Sequence, residues 1–440
     1  MKQANQIVQK LQSADVSINI EAVKVIRSGF RNIDINIDLA RGGNSNDSNN
    51  LPTKKFTGTL EINAVYFENY GEAKILMVSI DTLFIGNKFR LKVEEYFHDR
   101  LKPSEIFITA SHTHSAPMID FSKPKLGVPN QDFFDQVLEK TLDLCENLLQ
   151  NQEVHPFKIQ GYEYQSDIGI GRRKYRFIGE GRKRIIGFNQ TFMLPNLREK
   201  VNQPTIVIRI LKANGDSIVL WNQACHPVST PDNHGHSPCY IGAGRNFFRN
   251  EFGSNTVVIF LQGFSGDIRP YSFGGIYSMK DFLRYIVFGR RFTVFNDEKY
   301  NKFINKLLKE LEFAVVKINS NKVLSFNKLN SSREIRALSE FNIFCPDGDR
   351  YISKQLIDFG AMKITGMSAE VLSELSKPLK TNEGEFVLTV GCIDDVFGYL
   401  PDLKSLKKGG YEVDGYQPYF NISKVSIDSY IKIVTWLLEQ

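Results

Sequence analysis

The chain of 440 residues contains few residues of three informative types: five cysteines, seven histidines and two tryptophans. The cysteines are odd in number and widely spaced, and no C-x-x-C pair occurs, which argues against a disulfide scaffold and against a four-cysteine zinc site. No apolar run reaches the length of a membrane-spanning helix, and the first residues lack the apolar core of a signal peptide. We therefore expect a cytoplasmic protein.

The remaining composition is ordinary for a folded protein, since 42% of the residues are hydrophobic and 24% are charged. The net charge of +6 would suit an anionic partner but does not require one. Residues 171–184 carry seven basic side chains and one acidic side chain. No nucleic-acid motif accompanies this run, so we interpret it as a solvated loop and expect no nucleic-acid partner.

Strand-like and helix-like segments alternate along the chain, which predicts an α/β fold with a mixed sheet and flanking helices. A strand at 74–85, a helix at about 89–101 and a strand at 105–110 suggest a parallel crossover unit. No linker divides the chain, so we expect one large domain over residues 1–440. Further strands are predicted at 57–68, 205–211, 217–225 and 256–263, and further helices at 131–150, 298–318 and 426–440.

Two histidines follow the predicted strand at 105–110, in the segment ITASHTHSAP. Residues two apart on a strand face the same side, so His112 and His114 would point their imidazoles into one space. Imidazole is a common zinc ligand. Two histidines hydrogen-bonded in a polar loop would explain an isolated His-x-His pair equally well.

Two further strands end in residues that can carry chemistry. His226 follows the strand at 217–225, and the strand at 256–263 leads into GFSGDIRP, which contains Asp267 and Arg269. Ligands of open α/β sheets gather at the carboxyl ends of strands, so these segments could share one site with the first histidines. Unrelated strand ends remain the alternative at this stage.

Six segments, in this order, resemble the neutral/alkaline non-lysosomal ceramidase family, in particular its short bacterial members. They span about residues 60 to 414 and read ITASHTHSAP, IGIGRRKY, NQACHPVS, FLQGFSGDIRP, ITGMSAEVLSELS and DVFGYLPDLKSLKKGGYEV. Members of this family are zinc-dependent amidases that cleave the N-acyl bond of ceramide. The resemblance implies a metallohydrolase-like catalytic domain, without the C-terminal immunoglobulin-like domain of the larger ceramidases.

The resemblance also implies a Zn²⁺ site made of two histidines, a glutamate and a tyrosine. By position in the matching segments, the metal ligands are His112, His226, Glu370 and Tyr399. Catalytic roles fall on His114, Asp267 and Arg269, and substrate contacts fall on Arg172, Arg173, Gln262 and Gly263. A zinc ion held there would activate a water molecule and polarise an amide carbonyl.

One departure from the family pattern concerns the substrate. The established ceramidases carry an essential serine in a Gly-Asp-x-Ser-Pro turn, and Arg269 stands in its place here. Arginine could bind an anionic substrate group or an oxyanion, or it could form a salt bridge with Asp267. Three functions therefore stay open: an amidase for lipid-like substrates, the same scaffold acting on an N-acetylated sugar or envelope precursor, and a ligand-binding protein without catalysis.

The segment 271–295 is rich in aromatic residues and carries scattered basic residues. This composition is compatible with a lid over an acyl chain, with peripheral contact to a membrane, and with a buried insertion, which we favour. The expected partner is a small-molecule or lipid-like substrate, and the sequence leaves the oligomeric state open.

Overall fold

The computed structural model describes residues 23–35, 39–42, 58–70, 72–151, 153–177, 189–231, 235–275, 278–321, 323–379 and 384–439. The strands are β1 (Val25–Ile33), β2 (Leu60–Asn69), β3 (Ala73–Ile80), β4 (Ile106–Ala110), β5 (Phe157–Gln165), β6 (Gly169–Gly171), β7 (Arg173–Phe177), β8 (Asn189–Met193), β9 (Pro204–Lys212), β10 (Ser217–Gln223), β11 (Val257–Gln262), β12 (Ile268–Pro270), β13 (Phe326–Ala337), β14 (Tyr351–Gly360), β15 (Met362–Met367), β16 (Glu370–Val371), β17 (Phe386–Val390) and β18 (Tyr399–Leu400). The helices are α1 (Asn87–Phe97), α2 (Gln131–Gln150), α3 (Tyr240–Phe252), α4 (Met279–Phe288), α5 (Asp297–Ser320), α6 (Leu403–Lys408) and α7 (Ile427–Leu438).

Three four-stranded sheets form the centre of the described structure, and all three share one strand pattern. Their strand orders are β1-β2-β3-β4, β5-β9-β10-β11 and β13-β14-β15-β17. In each sheet the first three strands are antiparallel and the last pair is parallel. The predicted mixed α/β fold is confirmed, and so is the parallel crossover from β3 through α1 to β4. Three two-stranded ribbons complete the sheets: β6–β12, β7–β8 and β16–β18.

The three central sheets pack their inner faces into a common hydrophobic core. Val65 of the first sheet, Ile208 of the second and Ile364 of the third belong to one cluster of fully buried side chains. Between the first two sheets, the hydroxyl of Ser79 donates a hydrogen bond of 2.7 Å to the carbonyl of Phe260. Burial of so much apolar area is the main stabilising term, and it fixes the strand ends relative to one another.

The helices cover the outer faces of these sheets. The amphipathic pattern predicted α2 with its observed bounds. In the structure the Asn130 side chain accepts a hydrogen bond from the Phe133 N–H and caps the start of the helix. Its apolar stripe packs with α1 against the first sheet. Helices α3 and α5 cover the second sheet around the buried Trp221.

Two sequence interpretations need correction. In the basic run 171–184, residues 178–184 lie outside the described residues, but Arg172 is buried and Arg173 begins β7, so these positions are not a solvated loop. In the segment 271–295, helix α4 exposes apolar side chains instead of burying them. These are Met279, Phe282, Leu283, Tyr285 and Ile286, with exposed fractions between 42% and 72%.

Within the part of the chain that the structure describes, we find no helix with the length and apolar character needed to cross a bilayer.

Candidate metal centre

Two histidines reach a common point from the ends of two parallel strand pairs. His112 lies two residues after β4, and His226 lies three residues after β10. His112 Nδ1 lies 3.1 Å from the carbonyl oxygen of Leu83, and His226 Nδ1 lies 2.8 Å from that of Ser265. A carbonyl only accepts, so each Nδ1 carries a proton, and each Nε2 is the ring atom that is directed into the cluster.

Both Nε2 atoms point at the carboxylate of Glu370. His112 Nε2 and His226 Nε2 are 3.3 Å apart, and they lie 3.4 Å and 3.1 Å from Glu370 Oε2. All three side chains are buried. Tetrahedral zinc with ligands at about 2.0–2.1 Å separates its donor atoms by about 3.3 Å. The triangle therefore has dimensions that fit three ligands of one zinc ion.

The third corner is supplied by a short parallel ribbon. Glu370 in β16 is paired with Tyr399 in β18, and the Glu370 N–H donates a 2.8 Å hydrogen bond to the carbonyl of Gly398. Burial and the negative charge of Glu370 raise the pKa of the Tyr399 hydroxyl well above its usual value, so this phenol keeps its proton. Glu370 and Tyr399 are thus held side by side, and the predicted role of Tyr399 as a metal ligand stays a prediction.

The local charges favour an ionised carboxylate beside the imidazoles. Burial opposes ionisation of Glu370, but His112 and His226 hold its pKa well below its usual range. Burial and the adjacent Arg172 lower the pKa of His226 to about 4. Against the lowering effect of burial, Cys392 and Glu370 raise the pKa of His112 well above its usual value. A proton on His112 then balances Glu370, and a bound cation would replace that proton.

Arg172 closes one side of the cluster. Its Nε donates to Glu412 Oε1 at 2.8 Å, one terminal nitrogen donates to the Tyr399 hydroxyl at 3.0 Å, and the other lies 3.4 Å from His226 Nε2. The side chain is buried, so the guanidinium is held in one orientation. Its predicted contact with substrate stays a prediction, whereas its contact with the tyrosine of the site is direct.

His114 lies next to the other two histidines and offers an alternative donor. The ligand atoms of His112, His114 and His226 all lie within 4.8 Å of one another. Burial, His112, His226 and the charge of Arg269 lower the pKa of His114 well below its usual value, so its ring stays neutral. A neutral ring can bind a metal or exchange a proton with a bound substrate.

Asp267 is hydrogen-bonded to two neighbouring segments of the chain. Its two carboxylate oxygens accept hydrogen bonds from the N–H and hydroxyl of Ser373, at 2.8 and 3.0 Å, and its carbonyl accepts the N–H of Arg172. The alternative of a salt bridge between Arg269 and Asp267 is wrong, since Arg269 forms no ion pair with any described residue. The predicted catalytic role of Asp267 stays untested.

The other three predicted substrate contacts differ in position. Arg173 binds Glu412 and the carbonyls of Ser405 and Gly409, and it lines a neighbouring cavity of about 270 Å³. Gln262 donates to the carbonyl of Cys225 at 3.1 Å. The N–H of Gly263 donates to the carbonyl of Gln223 at 3.0 Å. Gln262 and Gly263 therefore tie the ends of β10 and β11 together.

Sequence reasoning missed two residues of the centre. Glu412 anchors both Arg172 and Arg173, and it lies in the quoted segment KKGGYEV. Cys392 is buried and raises the pKa of His112. A charged residue in a matching segment was a usable signal for Glu412, whereas nothing in the pattern around Cys392 distinguishes it from a core residue.

No family profile and no curated protein matches the sequence. Two solved structures match the fold. A neutral ceramidase from Pseudomonas aeruginosa has a TM-score of 0.63 and 12% identity, over 94% of this chain and 74% of that chain. A ceramidase complexed with C2 has a TM-score of 0.64 and 12% identity, over 94% of this chain and 75% of that chain. The chain therefore has a ceramidase-like fold.

Proposed function

We propose that this protein is a zinc-dependent hydrolase that cleaves an N-acyl amide bond. The observation that carries the proposal is the buried triangle of His112 Nε2, His226 Nε2 and Glu370 Oε2, with edges of 3.1–3.4 Å. Two neutral imidazoles and one carboxylate are a donor set of catalytic zinc sites that leaves a position for water or substrate. The ceramidase-like fold supports the same class of reaction.

In this proposal the three triangle residues hold the ion, and bound zinc supplies an activated water and a polarised amide carbonyl. The chain's own groups provide the rest. Arg172 donates to the Tyr399 hydroxyl, which keeps this phenol beside the triangle. Neutral His114 is assigned to exchange a proton with the substrate, either at the oxyanion or at the leaving amine.

Turnover by the zinc-loaded protein is the test, with N-acyl amides of short and long acyl chains as substrates. We expect hydrolysis that a chelator abolishes and that His114→Ala lowers by roughly 10²- to 10⁴-fold, as for loss of a general acid–base group. His98→Ala is the matched control, because His98 is exposed. Stoichiometric zinc without turnover of any amide would overturn the proposal and favour a ligand-binding protein.

A preference for acyl length decides between the two substrate classes. Faster cleavage of long-chain amides would favour a lipid-like substrate, and faster cleavage of N-acetyl amides would favour an N-acetylated sugar or envelope precursor. The fold itself does not choose between them, because a fold hosts many substrates.

A further inference from the structure

Arg269 lies on the same face of the β6–β12 ribbon as Arg172. In the antiparallel register Arg269 is paired with Ile170, two residues before Arg172, and residues two apart on a strand share a face. The same register continues to the hydrogen bond between the Arg172 N–H and the Asp267 carbonyl. On this face Arg172 reaches His226 and Tyr399, and the charge of Arg269 acts on Arg172, Tyr399 and His114, so Arg269 lies near the candidate metal centre.

Among the described residues, the guanidinium of Arg269 has only apolar or soft neighbours. It lies 5.3 Å from the ring centre of Phe292, and one of its nitrogens lies 3.9 Å from Met193 Sδ. It is half-buried and pairs with no described carboxylate. In contrast, four buried or largely buried arginines elsewhere each bind a carboxylate: Arg172, Arg245, Arg333 and Arg350.

A partly desolvated cation without a counter-ion is costly, and a second cation nearby increases the cost. Burial and Arg172 lower the pKa of Arg269 to about 10, which reflects both effects, and the guanidinium still stays charged at neutral pH. An anion from outside the chain would offset the desolvation of Arg269 and its repulsion by Arg172. The planar guanidinium presents paired N–H donors that match a carboxylate or phosphate edge.

We propose that Arg269 forms an anion-binding subsite beside the metal centre. The preferred substrate is then an amide that also carries a carboxylate or phosphate group. The cleavage of such a substrate rests on the proposed hydrolase function, whereas the binding of its anionic group rests on the position of Arg269. Substrate selection is thus assigned to a position where the resembling ceramidases have serine. A neutral long-chain ceramide would supply no counter-ion to Arg269.

The test compares two matched pairs of amides on the zinc-loaded protein. N-acylglycine is compared with N-acylglycinamide, which lacks the carboxylate charge, and an O-phosphorylated N-acylethanolamine is compared with the unphosphorylated one. We expect at least one anionic member to have the higher kcat/KM. Arg269→Met should lower kcat/KM for that member about 10- to 100-fold, the effect of losing a charged hydrogen bond, and leave the neutral member nearly unchanged.

Arg290→Met is the control, because Arg290 also stacks on a ring, 5.4 Å from the centre of Phe273. Arg290→Met should leave the ratio of kcat/KM between the anionic and the neutral member unchanged in both pairs. Unchanged zinc content and melting temperature would show that Arg269→Met is folded. Equal kcat/KM within both pairs, or a preference that survives Arg269→Met, would overturn the subsite without touching the hydrolase proposal.

If no amide is cleaved, equilibrium binding of the same four compounds gives a separate answer. A preference for an anionic member that Arg269→Met removes would keep the subsite while the hydrolase proposal fails. Equal binding of all four compounds would overturn the subsite as well.

Discussion

His112 adopts a left-handed backbone conformation, with φ 63°, which residues other than glycine rarely take. Cys392 and Asp394, on the segment that hydrogen-bonds to β4, do the same, with φ 58° and 49°. Such conformations cost of order 1–3 kcal/mol each and persist only where the surroundings enforce them. Here they occur at His112, whose Nε2 faces Glu370, and on the neighbouring segment with Cys392 and Asp394. The strain is therefore located at the candidate metal centre.

The first prediction concerns Asp267. Burial raises its pKa to about 6 from an ordinary 3.8, so its protonated form is favoured in the fold. This contribution to stability is fully present below pH 3.8 and is lost as the pH rises through about 6. Asp267→Asn keeps a hydrogen-bond acceptor for the Ser373 N–H and removes the titration.

We therefore expect the free energy of unfolding of Asp267→Asn to rise relative to the wild type between pH 4 and pH 7. The full difference corresponds to about 3 kcal/mol for a pKa raised to about 6. Urea unfolding at several pH values measures it. A difference between the two proteins that does not change with pH would contradict the assignment.

At the scale of elements, the sequence predicted several long segments, left others such as β1 and β5 unassigned, and missed the short ones. Helix α2 and strands β4, β10 and β11 have periodic or continuous apolar patterns, so His112 and His226 could be placed at strand ends from the residues alone. Glu370 and Tyr399 lie in β16 and β18, which have two residues each and no periodicity. Only the family resemblance selected them, because their pairing depends on tertiary packing.

The second prediction concerns the turn that presents Tyr399. Gly398 has φ 153°, and a Cβ there would lie 2.2 Å from the buried ring of Tyr416. Gly398→Ala must therefore displace the ring or the β16–β18 ribbon, and we expect a loss of about 1–3 kcal/mol in the free energy of unfolding together with weaker zinc binding. Denaturant unfolding and zinc titration measure the two effects.

Gly215→Ala is the matched control, because Gly215 also has a positive φ, of 92°, but no atom lies within 4 Å of its added Cβ. It should cost only backbone strain and leave zinc binding intact. Equal effects of the two variants on zinc affinity would show that crowding at Tyr416 does not reach the site.

The third prediction concerns helix α4, whose apolar side chains are exposed and whose neighbourhood is basic, with Lys280, Arg284, Arg290 and Arg291. Apolar surface beside cationic side chains suits an anionic lipid surface, so membrane contact stays a prediction of this element. We expect the protein to sediment with anionic vesicles more than with zwitterionic ones. Phe282→Ser with Ile286→Ser should abolish the difference.

The control for α4 is Phe313→Ser with Val316→Ser, since these exposed apolar residues lie on α5. Sedimentation that is equal for both kinds of vesicle, or that depends on α5 as much as on α4, would contradict the prediction.

At the scale of the whole molecule, one ion would connect the three central sheets. His112 follows the first sheet, His226 follows the second, and Glu370 follows β15 of the third. The sequence predicted that the ends of several strands meet at one site. It did not predict that these strands belong to three sheets with the same order of antiparallel and parallel pairs. The common core fixes these ends, and that core depends on contacts between segments hundreds of residues apart.

The fourth prediction follows from this arrangement. A ligand that binds the folded state stabilises it by RT ln(1 + [L]/Kd), or about 2.7 kcal/mol at a free concentration of 100 times Kd. Zinc should therefore raise the melting temperature of the whole described fold in one transition. Scanning calorimetry with and without chelator measures this, and an unchanged melting temperature with zinc bound would contradict a link between the sheets.

The most direct test of the central claim is zinc stoichiometry by metal analysis after dialysis. We predict one zinc per chain in the wild type and in His98→Ala, and less than a tenth of that in His112→Ala, His226→Ala and Glu370→Ala, provided that each variant is folded by circular dichroism. Zinc retained at one per chain in the folded His112→Ala and His226→Ala proteins would contradict the claim that these residues hold the ion.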